Sequence, residues 1–326
     1  MNTALKITAF TAGLATVFGA SYGIGHATGG PPDDAARPSA AHAGHESGSP
    51  SPSSPAARGT AEPLPGGLQI SDRGYTLSLD DPYETAGART DLRFRILGAD
   101  GEPVTSYRTE HGKELHLIVA PRDLSTFQHL HPTRAADGTW SASAALPAAG
   151  EYRVFADFTP AGASQNLTLG ADLHAAGALR PSPPAVTGRT VTVDGYRVTL
   201  TGDLTPGRAT RLTLAVTKNG KPVTDLQPYL GSYGHLVALR AGDLAYLHVH
   251  PDGEPGDGRT PSGPDIAFTT AAPSRGTYRL FLDFRHGGTV RTAAFTLSAT
   301  GTEPAAGPST PSSAAPSPEH GGAHKH

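Results

Sequence analysis

Two stretches of the chain carry histidines and an aspartate at matched positions. In each stretch a first histidine lies 13 residues before a His-x-His-Pro motif, which occupies residues 129–132 and 248–251. Each motif is followed by a Gly-x-Tyr-Arg-x-Phe-x-Asp-Phe segment, at residues 150–158 and 276–284. The chain is therefore an internal duplication. What its two divergent copies share is a set of imidazoles and a carboxylate, which are ligand types for transition metals.

Each copy predicts one metal site made of three imidazoles and an aspartate. Residues i and i+2 of a strand point to the same face, ~7 Å apart, and the proline after each histidine pair ends the strand where a metal can reach it. The aspartate is costly to bury alone, so it is either the fourth ligand or the acceptor that fixes a histidine tautomer. The predicted ligands are His116, His129, His131 and Asp157 in the first copy, and His235, His248, His250 and Asp283 in the second.

The ligand types favour Cu(II) or Zn(II) as the metal. The chain has no cysteine and its only methionine is Met1, which excludes thiolate and thioether sites. The competing interpretation is a buried network in which histidine and aspartate satisfy one another and bind nothing. The equal spacing of six histidines in two copies favours the metal. His111, His174 and His286 have no counterpart in the other copy, and we expect them to be surface residues.

Composition and motifs exclude several classes of function. Charged residues are 17% of the chain and the formal net charge is −3, so no basic surface is available to bind nucleic acid. The repeats contain no His-Glu-x-x-His helix, no Gly-x-Ser-x-Gly elbow and no phosphate-binding glycine loop. We therefore expect a protein that is not an enzyme.

The elements that position these residues are predicted to be β-strands. Apolar and polar residues alternate along each repeat, between frequent turn residues, and no segment shows a helical stripe. We predict an all-β fold of two tandem immunoglobulin-like antiparallel β-sandwich domains, at residues 67–175 and 186–299. The predicted strands are 75–79, 92–96, 114–120, 126–131, 139–145, 150–159, 165–169, 196–201, 212–216, 234–240, 244–250, 265–270, 277–285 and 289–297.

The two ends of the chain predict export and disorder. Lys6 precedes an uncharged run over residues 7–25. Residues 1–27 are therefore either a cleaved signal peptide or a retained membrane anchor, a hydrophobic helix nearly long enough to span a bilayer. Residues 28–66 and 300–326 are of low complexity, contain histidines and have few large apolar residues. We predict both to be disordered.

Both copies resemble a domain of bacterial secreted or membrane-anchored proteins that are associated with heavy-metal and copper handling. The resemblance rests on residues 114–119, 123–132 and 152–158 of the first copy. In the second copy residues 234–239 and 245–251 are similar to actinobacterial members of that group. The resemblance implies an extracytoplasmic protein of metal homeostasis.

Together these observations predict an extracytoplasmic protein, secreted or anchored by its N-terminal helix, that sequesters or delivers Cu(II) or Zn(II). Its expected partners are the metal ion and an envelope protein such as a membrane metal transporter. The alternative is a non-catalytic tandem immunoglobulin-like surface module that binds a protein partner, with purely structural histidines and aspartates. The distance between the imidazoles of one copy distinguishes the two interpretations, because imidazoles more than about 8 Å apart cannot share an ion through bonds of ~2 Å.

Overall fold

The computed structural model describes residues 64–180, 188–247 and 249–301, and only the backbone of His250. Every regular element within these ranges is a β-strand, so the predicted all-β fold is confirmed. The predicted N-terminal helix and nearly all of the two predicted disordered segments lie outside the described residues. Within the described ranges, no helix is long and apolar enough to cross a membrane.

The first repeat is a sandwich of two sheets. One sheet has the strand order β1-β2-β4-β9-β8, and the other has the order β3-β11-β10-β6-β7 with β5 beside β10. All pairs are antiparallel except β3 with β11. The strands are β1 (Ser71–Asp72), β2 (Tyr75–Leu79), β3 (Tyr83–Thr85), β4 (Arg89–Leu97), β5 (Tyr107–Arg108), β6 (Leu115–Pro121), β7 (Gln128–Leu130), β8 (Thr133–Arg134), β9 (Trp140–Ala145), β10 (Gly150–Pro160) and β11 (Leu167–Ala176).

The second repeat has the same plan. One sheet has the order β12-β13-β14-β19-β18 with β15 beside β14, and the other has the order β17-β16-β20-β21. The strands are β12 (Thr190–Val193), β13 (Tyr196–Thr201), β14 (Ala209–Lys218), β15 (Lys221–Pro222), β16 (Gly234–Arg240), β17 (Tyr246–Leu247), β18 (Val249–Pro251), β19 (Asp265–Ala271), β20 (Gly276–His286) and β21 (Thr289–Ala299).

Alternation of side chains along the strands fills the core of each sandwich. In β4, Leu92, Phe94 and Ile96 are buried, while Asp91 before them and Arg93 between them are exposed. Successive side chains of a strand point to opposite faces, so the apolar set packs inward and the polar set meets solvent. This is the pattern that the sequence predicts for a half-buried strand.

Four strands, β6, β10, β16 and β20, are instead buried on both faces. Their outward-facing apolar residues form a third cluster, which joins the two repeats. Full burial of one valine, leucine, isoleucine or phenylalanine side chain contributes about 1.5–3 kcal/mol to the stability of the fold. All described residues lie in one compact unit of the chain. The buried members are Ile118, Ala120, Leu124 and Phe155 of the first repeat, and Val237, Leu239, Leu244, Tyr246 and Phe281 of the second.

The contacts across this shared face are repeated with the roles of the repeats exchanged. Phe127 of the first repeat stacks on Phe281 of the second, with ring centroids 4.2 Å apart. Tyr246, the counterpart of Phe127, packs against Phe155, the counterpart of Phe281, at 5.9 Å. The duplicated halves therefore meet like the subunits of an approximately twofold dimer.

Each His-x-His-Pro motif lies where the chain crosses from one sheet of its sandwich to the other. Strand β7 pairs with β6 and ends at Leu130, whereas β8 begins at Thr133 in the opposite sheet. Strands β17 and β18 flank His248 in the same way. The strand predicted at 126–131 is therefore shorter, and the one predicted at 244–250 is divided between two sheets. Proline lacks a backbone donor, which suits residue 132 to such a crossing.

Candidate metal centre

The strand register places the first histidine and the aspartate of each copy side by side. His116 on β6 lies opposite Asp157 on β10, and His235 on β16 lies opposite Asp283 on β20. His116 belongs to the same outward-facing row as Ile118, since residues i and i+2 share a face. These polar side chains therefore lie on the face that the other repeat covers.

Three histidines of the first repeat converge at the edge of this face. Ring nitrogens of His116, His129 and His131 lie within 4.8 Å of one another. His116 is 5% exposed, and the side chain of His129 is 2% exposed. These distances are well inside the limit of about 8 Å for sharing one ion. The geometry of the first copy therefore permits ligation.

Two of these rings already use one nitrogen as a hydrogen-bond donor. His116 Nε2–H donates to the carbonyl oxygen of Glu110 at 3.2 Å, because a carbonyl can only accept. His129 Nδ1–H donates to Oδ2 of Asp283 at 3.0 Å, and the other oxygen of that carboxylate accepts from Thr292. In the neutral rings, the lone pairs of His116 Nδ1 and His129 Nε2 then face each other at 3.0 Å. Two lone pairs at this distance repel unless a proton or a metal ion lies between them.

The third ring has a nitrogen that is free to bind an ion. His131 Nε2 is buried and has no hydrogen-bond partner among the described residues. Leaving such a polar atom unsatisfied costs about 1–3 kcal/mol. The ring centroid of His131 lies 4.8 Å from that of His129 and 5.3 Å from that of His116.

Burial lowers the pKa of three imidazoles of the cluster. Burial, and next the neighbouring His129, lowers the pKa of His116 to about 4 and that of His131 to about 3. Burial also lowers the pKa of His235 well below its usual value. Near neutral pH His116 and His131 are therefore neutral. The neutral imidazole is the form that binds a metal ion.

The predicted residues of the second copy do not form a separate described site. His235 stacks on His116, with ring centroids 5.4 Å apart, and lies 4.7 Å from His129. His248 lies outside the described residues. The backbone of His250 in β18 pairs with that of Thr269 in β19. The side chain of His250 is not described.

Both aspartates bond to the other repeat rather than to histidines of their own. Asp283 accepts from His129, and Asp157 accepts from the hydroxyl of Tyr246 at 3.3 Å. The sequence predicts instead that each repeat completes its own site. The grouping differs because the outward faces of β6 and β16 pack against each other, which brings both polar sets to one place.

The sequence predicts that His111 is a surface residue away from the site. The structure instead places its ring in the cluster. Its ring centroid lies 6.2 Å from that of His116 and 5.7 Å from that of His235. No repeat pattern marks this residue, because Leu230 occupies the matching position. Its position in a turn beside β6 was the only available indication.

A tyrosine of the second repeat also borders the cluster. The ring of Tyr229 lies 6.2 Å from that of His131. Burial, and next the charge of Asp283, raises the pKa of Tyr229 to about 12. Its hydroxyl therefore remains protonated and neutral at physiological pH.

Comparison with protein families finds one match, which occurs twice. The sequence matches the family described as "Domain of unknown function (DUF8832)" over residues 69–174 and 191–301. Each matched segment covers one sandwich. No curated protein matches the sequence.

Several solved structures are similar to the chain at low identity. The Escherichia coli adhesin FdeC is 17% identical over 71% of this chain and 65% of its own, with a TM-score of 0.23. Invasin, a bacterial integrin-binding protein, is 13% identical over 70% of this chain and 40% of its own, with a TM-score of 0.22. The chain thus spans less than two thirds of either structure. TM-scores this low carry no argument about function.

Proposed function

The chain belongs to the family of the domain of unknown function DUF8832, which it contains twice, and we propose from its site that it binds Cu(II) or Zn(II) between the repeats. The ligands are His116 through Nδ1, His129 through Nε2, and His131. Three neutral imidazoles without sulfur suit either ion. The function that follows is sequestration or delivery of the metal outside the cytoplasm.

The observation that carries this proposal is the close approach of His116 Nδ1 to His129 Nε2, 3.0 Å apart. Two nitrogens bound to one tetrahedral ion through bonds of 2.0–2.1 Å are roughly 3.3 Å apart. The remaining nitrogens of both rings donate to a carbonyl and to the Asp283 carboxylate. Ligating histidines almost always have such outer partners, which fix the tautomer. A purely structural network would instead need a proton shared between these two nitrogens.

Three protein ligands also suit a metal that is taken up and passed on. A tetrahedral ion held by three imidazoles keeps one position open. A ligand from a donor or acceptor protein can enter there. We therefore propose an envelope protein, such as a membrane metal transporter, as the partner.

A second candidate function is a non-catalytic surface module that binds a protein partner. Two side-chain hydrogen bonds between described residues join the repeats without any ion, from His129 to Asp283 and from Tyr246 to Asp157. They favour a structural role for these side chains. This candidate leaves the unpartnered Nε2 of His131 unexplained.

Titration calorimetry distinguishes the two. The reference protein is the full chain with alanine at six histidines outside residues 64–301, namely His26, His42, His45, His320, His324 and His326. We expect a tightly bound equivalent of Cu(II) or Zn(II) in the reference protein and its loss in His131→Ala. His174→Ala is the matched control, because His174 stacks on Tyr83 outside the cluster. Absence of binding by the reference protein, or unchanged binding by His131→Ala, would reject the proposal.

A further inference from the structure

We infer a second cation position beside the three-histidine site, in a small cavity between the repeats. This inference rests on the proposed function and deepens it. The cavity measures about 20 Å³, which is room for roughly one water molecule or one ion. Its lining includes His111, His116 and Asp157 of the first repeat, and His235 and Tyr246 of the second.

Among the described residues, the carboxylate of Asp157 lacks the cationic partner that the other carboxylates of the cavity have. Asp157 is 7% exposed, and its two oxygens accept from the hydroxyls of Thr168 and Tyr246, each at 3.3 Å. Both donors are neutral, so neither supplies the positive charge that a buried carboxylate needs.

The other charged groups of the lining are already paired or hydrated. Glu110 pairs with Arg108, and Glu114 pairs with Arg134. Lys113 lines the cavity from an exposed position on the turn, where its ammonium group remains hydrated. A cation inside the cavity would therefore compensate the charge of Asp157.

Two imidazoles complete the set of ligands. His111 and His235 border the cavity, with ring centroids 5.7 Å apart. Two imidazoles and a carboxylate form a nitrogen and oxygen set that suits Zn(II) or Cu(II). Within the described residues, only the three-histidine site brings three ligand atoms within 4.8 Å of one another. The second ion would therefore complete its shell with water and bind more weakly.

The backbone of His111 is held in an unfavourable conformation. His111 and Gly112 form the two-residue turn between Glu110 and Lys113, with φ values of 51° and 76°. Asparagine followed by glycine is preferred in such a turn, and other L-residues pay about 1–2 kcal/mol for a left-handed conformation. At this position the unfavourable conformation brings an imidazole to the cavity.

His111 also faces the outside of the protein. Together with Glu254 and Asp257 it lines an open cleft of about 380 Å³. The second cation position therefore lies on the side of the cluster that opens to solvent. An ion bound there is placed between the acidic cleft and the three-histidine site.

The test is the number of metal ions bound by two matched turn variants of the reference protein. His111→Asn removes the imidazole but retains the turn, because asparagine tolerates positive φ. Leu230→Asn makes the same change in the matching turn, where Leu230 has a φ of 54°. We expect two equivalents of Zn(II) in the reference protein and in Leu230→Asn, and one in His111→Asn. With Cu(II), we expect the half-field electron paramagnetic resonance signal of a coupled pair to disappear in His111→Asn.

Three results would overturn the inference, in distinguishable ways. A single equivalent in the reference protein would remove the second position and leave the proposed function in place. Two equivalents retained in His111→Asn would place the second ion elsewhere, for example at the histidines of the second motif. Absence of any binding by the reference protein would reject both the second position and the proposed function.

Discussion

His129 is the residue at which the two repeats and the proposed metal meet. Its Nδ1–H donates to Asp283 across the shared face, and its Nε2 faces His116. The carboxylate sets the tautomer, so that the lone pair of Nε2 points toward the other imidazoles. A residue of the second repeat therefore orients a proposed ligand of the first.

Replacing Asp283 by asparagine should weaken metal binding while retaining most of the shape of the site. Loss of such an outer partner typically costs 10–100-fold in metal affinity, and calorimetry of the reference protein measures it. Asp225→Asn is the matched control, because Asp225 accepts a similar bond from His286, at 3.0 Å. Equal affinities of both variants and the reference protein would show that Asp283 does not orient a ligand.

Lowering the pH should destabilise the metal-free protein. Burial lowers the pKa of His116 to about 4 and that of His131 to about 3, whereas an unfolded histidine titrates near ~6.5. Between these values the unfolded chain binds more protons than the folded one. The free energy of unfolding therefore falls as the pH drops from about 7 toward 4.

Urea unfolding with a chelator, repeated along this pH range, measures the effect. His131→Ala removes one of the buried groups and should make the pH dependence shallower. His174→Ala is the matched control, because His174 lies outside the cluster and its side chain is 40% exposed. The same slope in all three proteins would contradict a role of the buried histidines.

At the scale of elements, β6, β10, β16 and β20 differ from the other strands because they carry apolar residues on both faces. The run from Leu115 to Ala120 contains one polar residue, His116. Such continuous runs are typical of strands that are buried on both sides. The second buried face is the one that the other repeat covers, so this run contained an indication of the contact between the repeats.

Truncating Phe155 should destabilise the protein as much as truncating a residue of a sandwich core. Phe155 is 0% exposed and belongs to the cluster between the repeats, whereas Phe158 is 2% exposed and belongs to the core of the first sandwich. We expect Phe155→Ala and Phe158→Ala each to lower the free energy of unfolding by about 3–5 kcal/mol. Chemical denaturation measures both. A cost below ~1 kcal/mol for Phe155→Ala alone would mean that the shared face opens in solution.

The whole molecule should unfold as one unit that metal stabilises. The apolar cluster and the side-chain hydrogen bonds of His129 and Tyr246 cross between the repeats. We therefore expect one cooperative thermal transition. Metal at about 100 times its Kd should add ~2.7 kcal/mol of stability, so the transition moves to higher temperature.

Scanning calorimetry of the reference protein with and without Zn(II) measures this. His131→Ala should retain the single transition and lose its response to the metal. Two separate transitions would show that the sandwiches unfold independently and would contradict the shared face as a stabilising contact.

Local patterns in the chain were sufficient to predict the all-β fold and most of the strands. These features follow from period-two alternation and from turns, which involve residues close in sequence. The partners of Asp157 and Asp283, and the inclusion of His111 in the cluster, depend on how two outward faces fit together. That packing joins residues such as His129 and Asp283, which are 154 positions apart. No periodic pattern connects positions so distant, so shape complementarity and burial across the shared face set these contacts.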